Sequence, residues 1–139
     1  MTQNLYVAHG LLAKDLSYLL LRRRNGRYLG GQWDIPGGTV EKGESSEEAA
    51  VRECFEETRL NARCGELITQ YSNADTAGRD LIFHTMTYRL ILDEADSNNS
   101  VKISEEEHDE AKWLNLDDAL DLPLVWHVRQ TLDFVHSKE

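Results

Sequence analysis

The chain has 139 residues, enough for one domain with a substantial core and too few for two ordinary ones. Its 40% hydrophobic content fits a folded protein rather than a disordered one, and no apolar run approaches the ~20 residues of a membrane-spanning helix. A formal net charge of -10 with a pI near 4.9 argues against binding nucleic-acid backbones or anionic membranes, so a phosphate-bearing ligand would need local cations.

The opening Met1-Thr2-Gln3-Asn4 lacks the basic-then-apolar layout of a secretion signal, and the expected address is the cytoplasm. Residues 4–13 and 17–22 are apolar runs separated by Lys14-Asp15, and they predict two strands. Asn25-Gly26 then signals a turn. Arg22, Arg23 and Arg24 form the densest basic cluster, beside a loop with Gly30, Gly31 and Trp33; they are either a solvated strand end or contacts for substrate phosphates. Pro36-Gly37-Gly38 fixes one backbone angle and frees the next two, allowing a tight bend and a close backbone approach.

From Gly38 to Leu60 the chain places seven acidic residues in 23 positions. Ser45 with Glu48 is a capping-box signature, so the helix is expected from Ser46 to about Thr58. On it Glu53, Glu56 and Glu57 have the i, i+3, i+4 spacing of helical neighbours and centre about 160° from Val51, Cys54 and Phe55. This predicts a carboxylate face opposite an apolar one. Like charges so close cost a few tenths of a kcal/mol per pair. They are either tolerated on a wet face or used to hold a hard divalent cation, which takes oxygen ligands. Arg52, four residues from both Glu48 and Glu56, can bridge to either. Cys54 and Cys64 have no CxxC or paired-His pattern and are expected as reduced thiols.

A strand is expected over 62–71, a polar loop over 72–79 and a strand over 81–92, the last rich in β-branched and aromatic residues. After a polar loop at 93–100, the acidic run Glu105-Glu106-Glu107-His108-Asp109-Glu110 leads into a short strand at 111–116. Asp117 and Asp118 start a short helix that Pro123 stops, and Leu124, Val128, Leu132 and Val135 recur at the spacing of a final helix to about His136. No repeat or linker divides the chain, so residues 1–139 read as one α/β domain. The histidines lack ligand spacing and receive no role; Tyr6, Trp33 and Phe83 are core residues or stacking partners.

The stretch from Gly38 to Leu60 closely resembles the Nudix box, G-x5-E-x7-R-E-U-x-E-E-x-G-U with U apolar. Gly38, Glu44, Arg52, Glu53, Glu56, Glu57 and Leu60 match it, and Trp33-Asp34-Ile35-Pro36-Gly37 is similar to the family's lead-in. Cys54 at an apolar position is a small departure, since a buried thiol behaves as a hydrophobe. Arg59 stands where the family has glycine; either it adopts a left-handed conformation at roughly 1–2 kcal/mol, or the helix runs on and Asn61 takes the turn.

The resemblance implies an α/β/α sandwich with a mixed β-sheet, and Mg2+- or Mn2+-dependent hydrolysis of a nucleoside diphosphate linked to a group X. By the same resemblance Glu53, Glu56 and Glu57 hold metal, Glu44 assists through a further ligand or a water, and Arg52 orients a glutamate. The proton acceptor is Glu53 or a carboxylate of the later acidic run, Glu105, Glu106, Glu107 or Glu110. Arg22, Arg23, Gly37 and Gly38 are expected to meet substrate phosphates. The expected substrate is a small-molecule nucleotide, a nucleoside triphosphate or a relative of it, and pairing into a homodimer stays open. The alternative is a Nudix-like module that senses a nucleotide without turnover. An isomerase of isoprenoid diphosphates fits poorly, because that branch departs from the box.

Overall fold

The two apolar runs at the start of the chain become strands β1 (Gln3–Lys14) and β2 (Ser17–Arg23), turned back on each other at Asp15, whose φ is 57°. The remaining elements of the computed structural model, which describes residues 1–139, are β3 (Trp33–Asp34), β4 (Gly37–Thr39), α1 (Ser46–Thr58), β5 (Ala62–Ala74), β6 (Leu81–Leu92), β7 (His108–Leu114), α2 (Leu116–Leu120) and α3 (Trp126–Ser137). The seven strands make one mixed sheet. β1 lies parallel to β6 from Gln3↔Leu81 to Ala13↔Ile91, and antiparallel to β2 and to the short β4. β5 flanks β6, while β2 carries both β3 and β7.

Side-chain alternation along the central strands sorts residues into two cores. Ala8, Leu12, Leu19 and Leu21 face α1 and pack with Ala49, Ala50 and Cys54. Leu11 and Leu20 face the other way, onto Trp33, Ile35, Val128 and Leu132 under α2 and α3. The result is the α/β/α sandwich expected from the sequence.

Helix α1 and strand β6 keep their expected bounds, while others move: β1 and β2 gain a residue at their ends, β7 stops at Leu114, and Leu116 begins α2 instead of ending that strand. β5 runs on to Ala74 because Ser72, Asn73 and Ala74 pair with His84, Phe83 and Ile82, so its polar end is strand rather than loop. β7 starts at His108 instead of Ala111, since Glu110 and His108 pair with Arg22 and Arg23. The last helix begins at Trp126. Its lead-in is held against β3 by hydrogen bonds from Trp33 N–H to Pro123 O (2.8 Å) and from Val125 N–H to Trp33 O (2.9 Å). The Pro36-Gly37-Gly38 segment is not only a bend: Gly37 and Gly38 form most of β4, paired with His9 and Ala8.

Candidate functional site

Helix α1 starts as its sequence dictates. The Glu48 N–H donates to Ser45 Oγ (3.1 Å) and the Ser45 N–H to Glu48 Oε1 (2.9 Å), closing the capping box. The helix ends on Arg59 at φ 63°, so this residue takes the left-handed position itself; its N–H donates to Phe55 O (2.8 Å) and its guanidinium lies 5.3 Å from the Phe55 ring centre.

The orientation of α1 differs from the expected carboxylate face opposite an apolar one. Its buried stripe is Ala49, Ala50, Cys54, Glu57 and Thr58, with Val51 and Phe55 only partly covered. The three glutamates therefore form a gradient rather than a wet face: Glu57 is 4% exposed, Glu53 is half-buried and Glu56 points outward. Two small alanines let the helix close on β1 and β4, and the glycines of β4 leave the room that Glu57 and Glu53 fill. The Gly37 N–H donates to Glu57 Oε2 at 2.9 Å. A Cβ on Gly38 would lie 2.6 Å from the Glu53 carboxyl carbon, a distance that real side chains do not tolerate.

Arg52 ties the carboxylates together. Its guanidinium donates twice to Glu44 (2.8 and 3.0 Å), to Glu53 Oε1 (2.8 Å), to Glu56 Oε2 (3.1 Å) and to Thr39 O (3.1 Å). Of the two helical partners expected from spacing only Glu56 is used, because Glu48 is committed to the cap. The paired hydrogen bonds from Arg52 hold the Glu44 carboxyl below its usual range. Burial raises Glu53 despite its contact with Arg52. At Glu57 burial pushes the carboxyl up to about 10, against the Gly37 N–H and aided by the negative charges of Glu107 and Glu53.

The later acidic run divides. Glu107 and His108 come to Glu57, with the ligand atoms of the three within 4.8 Å of one another. Glu110 instead pairs with Arg22 (3.1 Å) and Lys112 (3.8 Å), Glu105 offers its carbonyl to Arg24, and Glu106 is exposed. The arginines divide as well. Arg22 is held by Asp109 (2.7 Å) and Glu110 and sits over Trp33, outside the cleft. Arg23 reaches Asp34 Oδ2 (3.0 Å) and Tyr28 O (2.7 Å), and with Arg27 it lines the hollow over Gly37, Glu57 and Glu107. Among the aromatic residues Trp33 is buried, Tyr6 stacks on His84 at 4.9 Å, and Phe83 lines the cleft with Trp126.

That hollow opens into a cleft of about 940 Å³ floored by Gly37, Gly38, His9, Asp34 and His127. The two floor histidines escaped the sequence reading, as did His108, because their partners come from distant elements; the one available hint was that His9 and His127 stand amid apolar residues in otherwise core-like segments, a sign that His108, inside the acidic run, does not carry. Burial lowers His9 to about 4 and also lowers His127 and His108, so all three are neutral near pH 7. Asp34 is buried too, which opposes its charge, but His9, His127, the Ile35 N–H and Arg23 outweigh this and lower it.

The α1 donor set fits a divalent cation. Glu57 is a buried carboxyl whose one hydrogen bond is from a backbone N–H, and its nearest basic neighbour, His108 at 3.8 Å, is kept neutral by burial. Glu53 lies beside it against Gly38, and the oxygens of both are the hard ligands that Mg2+ takes.

An α/β/α sandwich with a glutamate-bearing helix laid on a glycine strand defines a class, and sequence comparison identifies it. A NUDIX domain model matches residues 5–134, and the chain belongs to the Nudix hydrolase family. It is 35% identical to the nucleoside triphosphatase NudI of Escherichia coli, over 88% of this chain and 89% of that protein. It is also 42% identical over 84 residues to an ADP-ribose pyrophosphatase of Methanocaldococcus jannaschii; that match covers 60% of this chain and only 47% of the archaeal protein. The solution structure of the E. coli ORF135 protein superposes with a TM-score of 0.79 at 26% identity, covering 98% of this chain and 91% of that one.

Proposed function

We propose that the protein is a divalent-metal-dependent pyrophosphohydrolase that splits a phosphoanhydride bond in a nucleoside triphosphate or a related nucleoside diphosphate linked to X. The observation that carries this reading is the seating of Glu53 and Glu57 against the Gly37-Gly38 backbone, with Glu57 lining a hollow that Glu107 also borders. Glu53 and Glu57, with Glu56 at the rim, would hold Mg2+ or Mn2+, which when bound neutralises phosphate oxygens and lowers the pKa of a bound water.

The chain's own groups divide the remaining work. Arg52 fixes Glu53 and Glu56 in one orientation and is itself braced by Glu44, so the carboxylates are positioned before substrate arrives. Glu107, exposed yet beside Glu57, is the loop carboxylate suited to take the proton of the attacking water. Arg23 and Arg27 supply local positive charge in a chain of net charge -10 and meet the phosphates. Phe83 and Trp126 line the broad end of the cleft and offer faces on which a base can stack. The names of the E. coli and archaeal relatives support a nucleotide substrate.

The test is a panel of nucleoside triphosphates, nucleotide sugars and dinucleoside polyphosphates, assayed with Mg2+ and with EDTA by phosphatase-coupled phosphate release. Turnover should require the metal and fall about 100- to 1,000-fold in Glu53→Gln and Glu57→Gln, the scale on which one preorganised electrostatic group contributes. Full activity in both variants would overturn the assignment. Tight nucleotide binding without turnover across the panel would put a sensing module in its place.

A further inference from the structure

Below the same cleft lies a second cluster that the hydrolytic reading leaves unused. His9 on β1, Asp34 on β3 and His127 on α3 meet with Asp34 Oδ1 4.0 Å from His9 Nε2 and 3.8 Å from His127 Nε2. All three side chains are at least nine-tenths buried, at 10, 6 and 10% exposure. The imidazole rings are 4.5 Å apart, centre to centre.

The histidines are poorly explained as packing. Their Nε2 to Asp34 separations are too long for hydrogen bonds, and the Nδ1 atoms of both are buried with no hydrogen-bond partner. Leaving a buried polar atom unpaired costs roughly 1–3 kcal/mol. The Nδ1 atoms are not the nitrogens turned toward Asp34: an ion held at the two Nε2 atoms leaves Nδ1 to carry the proton of each neutral ring. Both rings are neutral, which is the ligating form of imidazole.

We propose that His9, Asp34 and His127 form a binding site for a borderline-soft divalent transition-metal ion of the Zn2+ class, separate from the carboxylate site on α1. Two imidazole nitrogens and one carboxylate oxygen make a nitrogen-rich set that favours such ions over Mg2+, whose preference is for oxygen. The three ligand atoms lie within 4.8 Å of one another, and small side-chain rotations bring them onto one ion. All three residues line the cleft, so a position on the ion stays open to water or to an oxygen of a bound ligand. Arg23, hydrogen-bonded to Asp34 Oδ2, and the Ile35 N–H, bonded to Oδ1, hold the carboxylate in place as outer partners.

Cobalt(II) tests this directly, because its visible absorption reports nitrogen coordination and does not depend on turnover. Chelator-stripped protein is titrated with Co2+ in excess Mg2+, for the wild type, Glu53→Gln/Glu57→Gln, His127→Gln and Asp34→Asn, with circular dichroism confirming that each is folded. One equivalent should bind the wild type and the double glutamate variant alike. Affinity should drop more than about 100-fold in His127→Gln and Asp34→Asn, beyond the ~10- to 100-fold effect of outer partners. Unchanged binding in those two variants, loss of binding in the glutamate variant, or no Co2+ band in the wild type would each overturn the proposal. Should the floor variants fail to fold, wild-type crystals soaked in Zn2+ decide. Anomalous density between His9, Asp34 and His127 supports the site, and density at the α1 glutamates alone refutes it.

Discussion

Two clusters of ionisable side chains meet at one hollow, which Glu57 lines from the first and His9 and Asp34 from the second, and they are built in opposite ways. The α1 cluster is rich in oxygen, comes from one helix and its preceding loop, and is bound together by Arg52. The cluster of His9, Asp34 and His127 is rich in nitrogen, comes from β1, β3 and α3, and rests on Asp34. In the first, burial raises carboxyls toward neutrality; in the second, burial lowers imidazoles toward neutrality. A low-dielectric environment thus stores opposite latent charges on two sides of one strand pair.

Gly38→Ala is the sharpest way to break the first cluster alone. The new Cβ would collide with the Glu53 carboxylate, and displacing a reacting group by about 1 Å can cost ~100-fold in rate. Turnover in Mg2+ should fall by about that factor in steady-state assays, while Co2+ binding at the histidines persists.

The opposite pKa shifts predict opposite pH signatures in metal-free protein. Glu57 has its folded-state value raised from 4.5 to about 10, so its contribution to stability is full below pH 4.5 and is lost as pH climbs toward 10. His9 is lowered from 6.5 to about 4, so its contribution is full above pH 6.5 and is lost as pH falls toward 4. In urea titrations with EDTA, Glu57→Gln should therefore gain on the wild type toward alkaline pH, and His9→Gln toward acid pH. At ~1.4 kcal/mol per pH unit, the difference should change by about 3 kcal/mol for His9→Gln and by more for Glu57→Gln, whose window is wider. Parallel pH profiles for the two variants would contradict the contrast between the clusters.

The smallest effect concerns the end of α1. Arg59→Gly should relieve the left-handed strain and forfeit the contact with Phe55, for a net stabilisation of about 0.5–1 kcal/mol in thermal or urea melts and unchanged turnover.

What could be read from the sequence follows the same division. Helix α1, its cap and the box residues are encoded within a few turns of chain, and spacing alone conveys them. β6 was equally plain, since its β-branched and aromatic run ends at polar loops on both sides. The depth of the glutamates was not legible, because it depends on β4, a three-residue strand that exists only through its pairing with β1. Glu107 could not be separated from Glu106 or Glu110 for a similar reason: a strand beginning at His108 decides which carboxylates turn toward Glu57 and which toward Arg22 and Lys112. The histidines were silent because no local period relates β1, β3 and α3.

The pairing of His9 with Gly37 makes β1 and β4 a common ruler for both clusters. His9 belongs to one, and the Gly37 N–H holds Glu57 of the other. A slip of a single residue between these strands would turn each side chain to the wrong face, so neither cluster can drift in evolution without carrying its neighbour along.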